Sequence, residues 1–325
     1  MPLSIHSDDR VALSVVEARS PRRVSSVEPA VSIVVPARNA EPTLRDCVTS
    51  LLRLDYPVQR REIIVVDNGS ADATSASIRD LPVTLLTEPR RGPSWARNAG
   101  IEASKGEIIA FTDADCIVTR GWLRGLVTAF QYDEALWAVA GEVLPFPPQT
   151  AAEQYMARRQ TRWQQAALRA PRPYMVTANV AFRRQTFDAI GRFDARFVVG
   201  QDQDLSWRFF AAGLRCRYAP AAIVFHRHRR TTWGFFKQQL GWGYGAALLR
   251  RHHRLPWGLA GELRELGRLA RAARLLVVAV GRAGVGVGSR TEATDRFHDF
   301  LREAARRAGA LRAALEHLAA RADRA

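Results

Sequence analysis

A chain of 325 residues, 47% hydrophobic and 25% charged, is long enough for one large α/β domain with an appendage, or for two modest domains. Its 48 basic side chains against 32 acids leave a net charge of +16, and all but Lys105 and Lys237 are arginine. An anionic partner is expected; nucleic acid, anionic lipid and a nucleotide all qualify on charge alone. Three scattered cysteines, Cys47, Cys116 and Cys216, argue against structural zinc or a disulfide framework and suit a reducing compartment. The first 30 residues lack the apolar core of a signal peptide, and the run Leu275–Val280 is far short of the ~20 residues of a spanning helix. A cytoplasmic protein, or one peripheral on the inner face of the membrane, is expected.

Residues 1–29 mix Ser, Pro, Arg and acids without periodicity and read as a disordered arm. A regular alternation then begins. Strands are expected at Val31–Val35, Glu62–Val66, Val83–Thr87 and Glu107–Thr112, with helices near Glu41–Arg53 and Ser94–Ser104 and a short one between. This spacing predicts an α/β, Rossmann-like, mostly parallel sheet flanked by helices, whose ligands gather at the carboxyl ends of the strands. Polar residues cluster at those ends: Pro36-Ala37-Arg38-Asn39, Asp67-Asn68-Gly69-Ser70, Glu88 and Asp113-Ala114-Asp115. After an apolar stretch at Trp137–Val143 come a Pro-rich turn, a polar helix over about Ala151–Arg169, a strand near Met175–Phe182, a helix opening at Gln201 and a strand Cys216–Phe225. From Arg250 onward 16 arginines face 8 acids, half of the whole excess, and the Ala, Leu and Gly content predicts a separate helical region.

Asp113 and Asp115 leave an apolar strand two residues apart and can converge on a divalent cation; hard oxygen ligands suit Mg²⁺ or Mn²⁺. Asp67-Asn68-Gly69-Ser70 reads first as a turn with positive φ and a helix cap; the functional reading adds that Asp67 accepts a hydrogen bond from a base imide. Arg90 to Gly100 supplies a helix start flanked by arginines, suited to a diphosphate or simply to the surface. In Gly200-Gln201-Asp202-Gln203-Asp204, acids favour a helix N-terminus, and Asp202 is also a candidate general base; Leu205, Phe209 and Ala212 are expected to face inward. His226 is either a third metal ligand or a surface histidine among arginines.

These segments, IVVPARN (Ile33–Asn39), VVDNGSADAT (Val65–Thr74), GPSWARNAG (Gly92–Gly100), FTDADC (Phe111–Cys116), NVAFRR (Asn179–Arg184), GRFDARF (Gly191–Phe197), QDQDLSWR (Gln201–Arg208) and a histidine followed by FFKQQLGWGYG (Phe235–Gly245), stand in the order found in family 2 glycosyltransferases, which the chain resembles over about 31–250. The resemblance implies the nucleotide-sugar-binding A-type glycosyltransferase fold, with 30–120 as its nucleotide half, 121–250 as its acceptor half and 251–325 as a helical C-terminal region. It places Ala37, Arg38 and Asp67 around the base, with Pro36, Asn39, Asn68, Gly69 and Ala114 beside them in the donor site. Arg97 would lie near the base or diphosphate, Asp113 at ribose and metal, Asp115 and His226 on the metal, and Asp202 would be the base. Gln201, where the family usually has glutamate, Asp204, Gln238 and Trp242 fall on the acceptor side; Gly241 replaces the arginine of a motif of processive members, which argues against a polymerase.

The implied reaction is metal-dependent transfer from a nucleotide-diphospho-sugar, UDP-sugar first, to a hydroxyl of a glycan, lipid-linked or small-molecule acceptor, with inversion as the simplest course. A nucleotidyltransferase is the nearest alternative but needs a Gly-rich, Lys-containing phosphate loop where Pro36-Ala37-Arg38-Asn39 stands. A non-enzymatic arginine-rich nucleic-acid binder is the other. No nucleic-acid module occurs, and no nucleic-acid partner is expected. For the C-terminal region two readings stay open: an amphipathic element on anionic lipid, suggested by Leu263, Leu266, Leu269 and Leu275–Val280 among arginines, or a helical cover packed on the catalytic unit.

Overall fold

The computed structural model describes residues 28–256 and 259–322. The arm expected over 1–29 lies outside the described residues up to position 27. Its last two residues are tied down: Glu28 pairs with Arg124 at 2.5 Å, and the Tyr56 hydroxyl donates to the Pro29 carbonyl at 2.6 Å.

The chain runs β1 (Val31–Ala37), α1 (Glu41–Leu52), β2 (Arg61–Asp67), β3 (Thr84–Thr87), α2 (Pro93–Ala103), β4 (Ile108–Phe111), β5 (Cys116–Val118), α3 (Trp122–Tyr132) and β6 (Leu136–Pro145). It continues with α4 (Ala151–Arg159), α5 (Trp163–Leu168), β7 (Val180–Arg183), α6 (Gln185–Ile190), α7 (Gln201–Ala211), β8 (Arg215–His226), α8 (Thr232–His252), α9 (Leu259–Gly284) and α10 (Arg290–Ala322). One sheet, ordered β3-β2-β1-β4-β7-β6-β8-β5, carries the fold. β1 to β4, β6 and β8 share a direction; β7 and β5 oppose it.

β1 is buried on both faces, as a largely apolar strand in the middle of a parallel sheet is, and its one polar side chain, Ser32, donates to Glu62. Its side chains alternate: Ile33 and Val35 pack with Leu44, Val48 and Leu51 of α1 and with Leu123 and Leu126 of α3. Val34 points the other way, into a cluster with Ile101 of α2 and with Leu205 and Phe209 of α7. The sheet thus holds α7, and Asp202 with it, on the same face as α2.

Three expectations are corrected. The helix drawn over 151–169 is two, because the chain leaves helical geometry at Gln160 (φ −126°) and restarts at Trp163. The strand drawn over 175–182 starts at Val180, because side chains take the preceding backbone donors: Met175 N–H goes to Ser206 Oγ and Val176 N–H to Gln164 Oε1. Buried Asn179 then clasps the strands, donating to the carbonyls of Glu142 and Ala222, both at 2.8 Å, and accepting from Trp122 Nε1 at 2.7 Å. Leu205 and Phe209 are buried as expected, but Ala212 lies past the end of α7 and is exposed.

The C-terminal helices differ from each other. α10 is clamped to α4 by the ion pairs Arg158–Asp295 and Arg159–Asp299 and by the Tyr155 hydroxyl on Asp299. Against α8 its backbone approaches so closely that a Cβ at Gly243 would lie 2.0 Å from the Arg306 carbonyl oxygen, and one at Gly309 would lie 2.0 Å from that of Leu240. α9 leaves Leu263, Leu266, Val277, Val278 and Val280 exposed. Among the described residues no helix is long and apolar enough to cross a membrane.

Candidate active site

At the carboxyl end of β1, Asn39 adopts φ +49° and ties two loops together: its N–H donates to Ser70 Oγ and its Oδ1 accepts from the Ala71 N–H. Pro36 and Ala37 are still within β1, and Arg38 next to them is exposed. Asp67 ends β2 nearly buried, its Oδ1 accepting from the Ser70 N–H and hydroxyl and its Oδ2 from the Ser75 hydroxyl. Gly69 is exposed at φ +68°, so the turn reading of this segment holds. Asn68 is a bracket: its amide donates to the Glu88 and Arg90 carbonyls and accepts from the Gly92 N–H. These three bonds leave its side chain little with which to contact a donor, contrary to the expectation for this residue.

From β4 the chain passes through Asp113-Ala114-Asp115 into β5. Ala114 is buried, and the loop is held by Cys47 Sγ on the Asp113 carbonyl and by the Arg227 N–H on the Asp115 carbonyl at 2.9 Å. β5 pairs with β8 so that Cys116 stands opposite His226, which brings His226 Nε2 to 3.5 Å from Asp115 Oδ1. Neighbouring ligands about 2.1 Å from an octahedral cation stand about 3.0 Å apart, so the pair would close by about half an ångström to share a divalent metal. His226 Nδ1 is buried without a protein partner. Arg229 reaches Asp115 at 4.0 Å.

Arg97, buried on α2, donates from Nη2 to Asp113 Oδ1 at 2.8 Å. Its Nε and Nη1 are buried with no protein partner. Orphaned guanidinium donors are costly, and an anion beside Asp113 would satisfy them. The N-terminal turn of α7 meets this cleft. Asp202 is partly buried, and burial pushes its carboxyl up to about 6, with Arg97 pulling it down and the Asp113 carboxylate adding to the rise. Those two influences put Asp202 within electrostatic reach of the Arg97–Asp113 pair.

Asp202 also lines a cavity of about 610 Å³ with Trp163, Tyr174, Trp242 and arginines of α8, α9 and α10. The break between α4 and α5 turns Trp163 into it, 6.1 Å from Trp242 and 5.5 Å from His226. Of the expected acceptor-side residues, Trp242 lines this cavity; Gln201, Asp204 and Gln238 do not. Asp204 is fully buried and turns instead to Arg208 at 2.8 Å and His253 at 2.9 Å, fastening α7 to the end of α8. With His252 these two form a carboxylate–imidazole group, but the Arg208 ion pair on Asp204 makes it structural. Gln201 and Gln238 each keep a buried side-chain oxygen without a partner.

Sequence reasoning missed Trp163, Tyr174, Arg302 and Arg306. The spacing Ala305, Gly309, Ala313 along α10, with both alanines buried, is the signal that marks a close helix contact and hence a facing wall. It also missed His228, whose ring lies 5.2 Å from that of His226, with both nitrogens buried and unpartnered; burial and His226 lower its pKa to about 4.

Residues 32–191 match the family described as glycosyl transferase family 2. A pre-mycofactocin glycosyltransferase of Mycobacterium tuberculosis (strain ATCC 25618 / H37Rv) is 32% identical over 236 residues, 69% of this chain and 48% of its own, so the chain spans about half the length of that relative. Glycosyltransferase AglE of Haloferax volcanii is 31% identical over 215 residues, 63% of this chain and 69% of its own. The structure of the mannosyltransferase PcManGT from Pyrobaculum calidifontis, in complex with GDP-Man and Mn²⁺, superposes with a TM-score of 0.59 at 21% identity, covering 90% of this chain and 88% of that one. By sequence the chain belongs to glycosyl transferase family 2, and its fold is shared with PcManGT.

Proposed function

We propose that this chain transfers a sugar from a nucleoside-diphosphate donor to an acceptor hydroxyl. The observation that supports the reading is that Asp202, its carboxyl raised to about 6, lies within electrostatic reach of the Arg97–Asp113 pair. Arg97 would hold the diphosphate, and the nucleoside would lie along Ala37, exposed Arg38 and Asp67. Asp115 and His226 would hold Mg²⁺ or Mn²⁺, which when bound supplies positive charge to the departing diphosphate, while Asp113, expected as a further ligand, is turned to Arg97 and does not join them. Asp202 would take the proton of the attacking hydroxyl from the side of the cavity. The other acids of the cavity among the described residues, Glu265 and Glu303, are paired with Arg268 and Arg302, which leaves Asp202 as the base and single displacement with inversion as the simplest course.

A UDP-sugar is the first donor candidate and GDP-mannose, bound by PcManGT, the second. A thermal-shift screen of both classes with and without Mn²⁺ tests this. One class should raise the melting temperature in a Mn²⁺-dependent way, since saturation at ~100 Kd adds about 2.7 kcal/mol. A flat response to every nucleoside diphosphate would refute the donor site.

The exposed apolar side chains of α9 alternate with exposed Arg264, Arg271, Arg274 and Arg282, which favours a lipid-facing role for this helix while α10 serves as the packed cover. Vesicles with anionic headgroups should pellet the protein, and V277E/V280E should release it. Equal pelleting of both proteins would remove the membrane from the account.

A further inference from the structure

The cavity before Asp202 is walled by guanidinium groups. Arg250 comes from α8, Arg268 from α9, and Arg302, Arg306 and Arg307 from α10; the acids lining it are Asp202, Glu265 and Glu303. Glu303 and Arg302 pair with each other, Asp299 also lying 3.8 Å from Arg302, and Glu265 pairs with Arg268, so a phosphate would have to share Arg302 with these acids. Arg306 is held by a neutral group. Its Nε donates at 2.9 Å to Oε1 of Gln239, a fully buried side chain, and its guanidinium lies 5.5 Å from the centre of the Trp242 ring. Burial and neighbouring Arg302 hold Arg306 below the usual arginine range, a sign of positive charge kept where water solvates it poorly. Arg302 and Arg306 are one helical turn apart, so both can reach one ligand group.

We propose that the acceptor carries a phosphate, gripped by Arg306 and Arg302, while its hydroxyl faces Asp202 and its carbon skeleton lies against Trp163 and Trp242. A phosphate offers several oxygens to share between guanidinia on adjacent turns, whereas one guanidinium already satisfies a carboxylate bidentately. The inference rests on the reading of Asp202 as the acceptor-side base. It also gives α10 a part in recognition: the C-terminal region contributes more than a third of the acceptor's surroundings.

Calorimetry on the full chain tests it, with UDP and Mn²⁺ added first to fill the diphosphate site, then inorganic phosphate, glycerol 3-phosphate or dihexanoyl phosphatidic acid. At least one phosphate compound should bind, and R306Q and R302Q/R306Q should weaken it tenfold or more. The distant surface variant R124Q should leave it unchanged. R306K, which keeps the charge and loses the fork, should fall between, and melting temperatures identify any variant that has not folded. D202N provides an independent check, because removing a negative charge from the cavity should tighten phosphate binding above pH 7. Preference for the glycerol or the lipid compound separates a soluble from a lipid-linked acceptor, and either one, if Arg306-dependent, upholds the site. Absence of phosphate binding, or equal affinity in folded R306Q, overturns it. The UDP heat is scored separately: if UDP fails to bind while Arg306-dependent phosphate heat persists, the donor reading falls and the phosphate site stands.

Discussion

Asp202→Asn is expected to lower kcat by about 10²–10⁴-fold, the usual worth of a positioned general base, while Mn²⁺-dependent donor binding persists. The same substitution should stabilise the fold. Burial raises the native carboxyl to about 6 against an ordinary value of 3.8, so the native state binds this proton more tightly than the unfolded chain does. Between those two values, wild-type stability loses a contribution as pH rises, and above about 6 the full cost of the charged form is present. The shift corresponds to an upper bound of about 3 kcal/mol, and roughly half that is expected because the side chain is only partly buried and borders an open cavity. Denaturation at pH 8 should find the variant more stable than wild type, with the difference vanishing near pH 4. Activity has the matching sign: kcat/KM of wild type should rise as pH increases through about 6, where the base ionises, and then level. Normal turnover by D202N would end the assignment of the base.

Asp115→Ala is expected to abolish the metal dependence of donor binding, weakening UDP affinity in Mn²⁺ by about 100-fold, at or above the upper end of what losing a group that merely supports a metal ligand costs. The geometry makes this a clean test. The bond that anchors the loop runs from the Arg227 N–H to the Asp115 backbone carbonyl and survives the substitution, and Arg97 pairs with Asp113 rather than Asp115. Asp113→Ala is a poorer probe, since it leaves the buried Arg97 guanidinium without its partner. Titration of UDP into D115A with and without Mn²⁺ reads the effect, and a difference as large as that of wild type would dismiss Asp115 and His226 as the metal pair.

The first half of the sheet was legible because its strands are short apolar runs whose tips carry polar residues. β1, β2 and β4 end within two residues of where Pro36, Asp67 and Asp113 lie. Asp202 was legible as two things at once, a residue favoured at a helix start and a candidate base, and chemistry alone does not separate them. What stayed hidden depends on residues far apart in the chain. No local pattern reports that Asn68 spends its amide on the carbonyls of Glu88 and Arg90, or that Asp204 meets His253 across 49 positions. The break before Trp163 escaped for another reason: Gln160, Thr161 and Arg162 include no Gly or Pro to announce it. The C-terminal region fitted either a lipid-facing element or a packed helical cover, and only the packing of α10 on α8 shows that some of its arginines turn inward.

That packing has an evolutionary corollary. Where α8 and α10 cross, the spacer between them is a pair of hydrogens, those of Gly243 and Gly309, and Arg306 stands three positions before Gly309 on the same helix. The depth of the arginine wall is therefore dialled from outside it. A relative that exchanged Gly309, which does not line the chamber, for alanine or serine would push α10 outward and widen the chamber for a bulkier substrate while every residue lining it stayed the same. Selectivity in this lineage can drift through positions that never touch what is being selected.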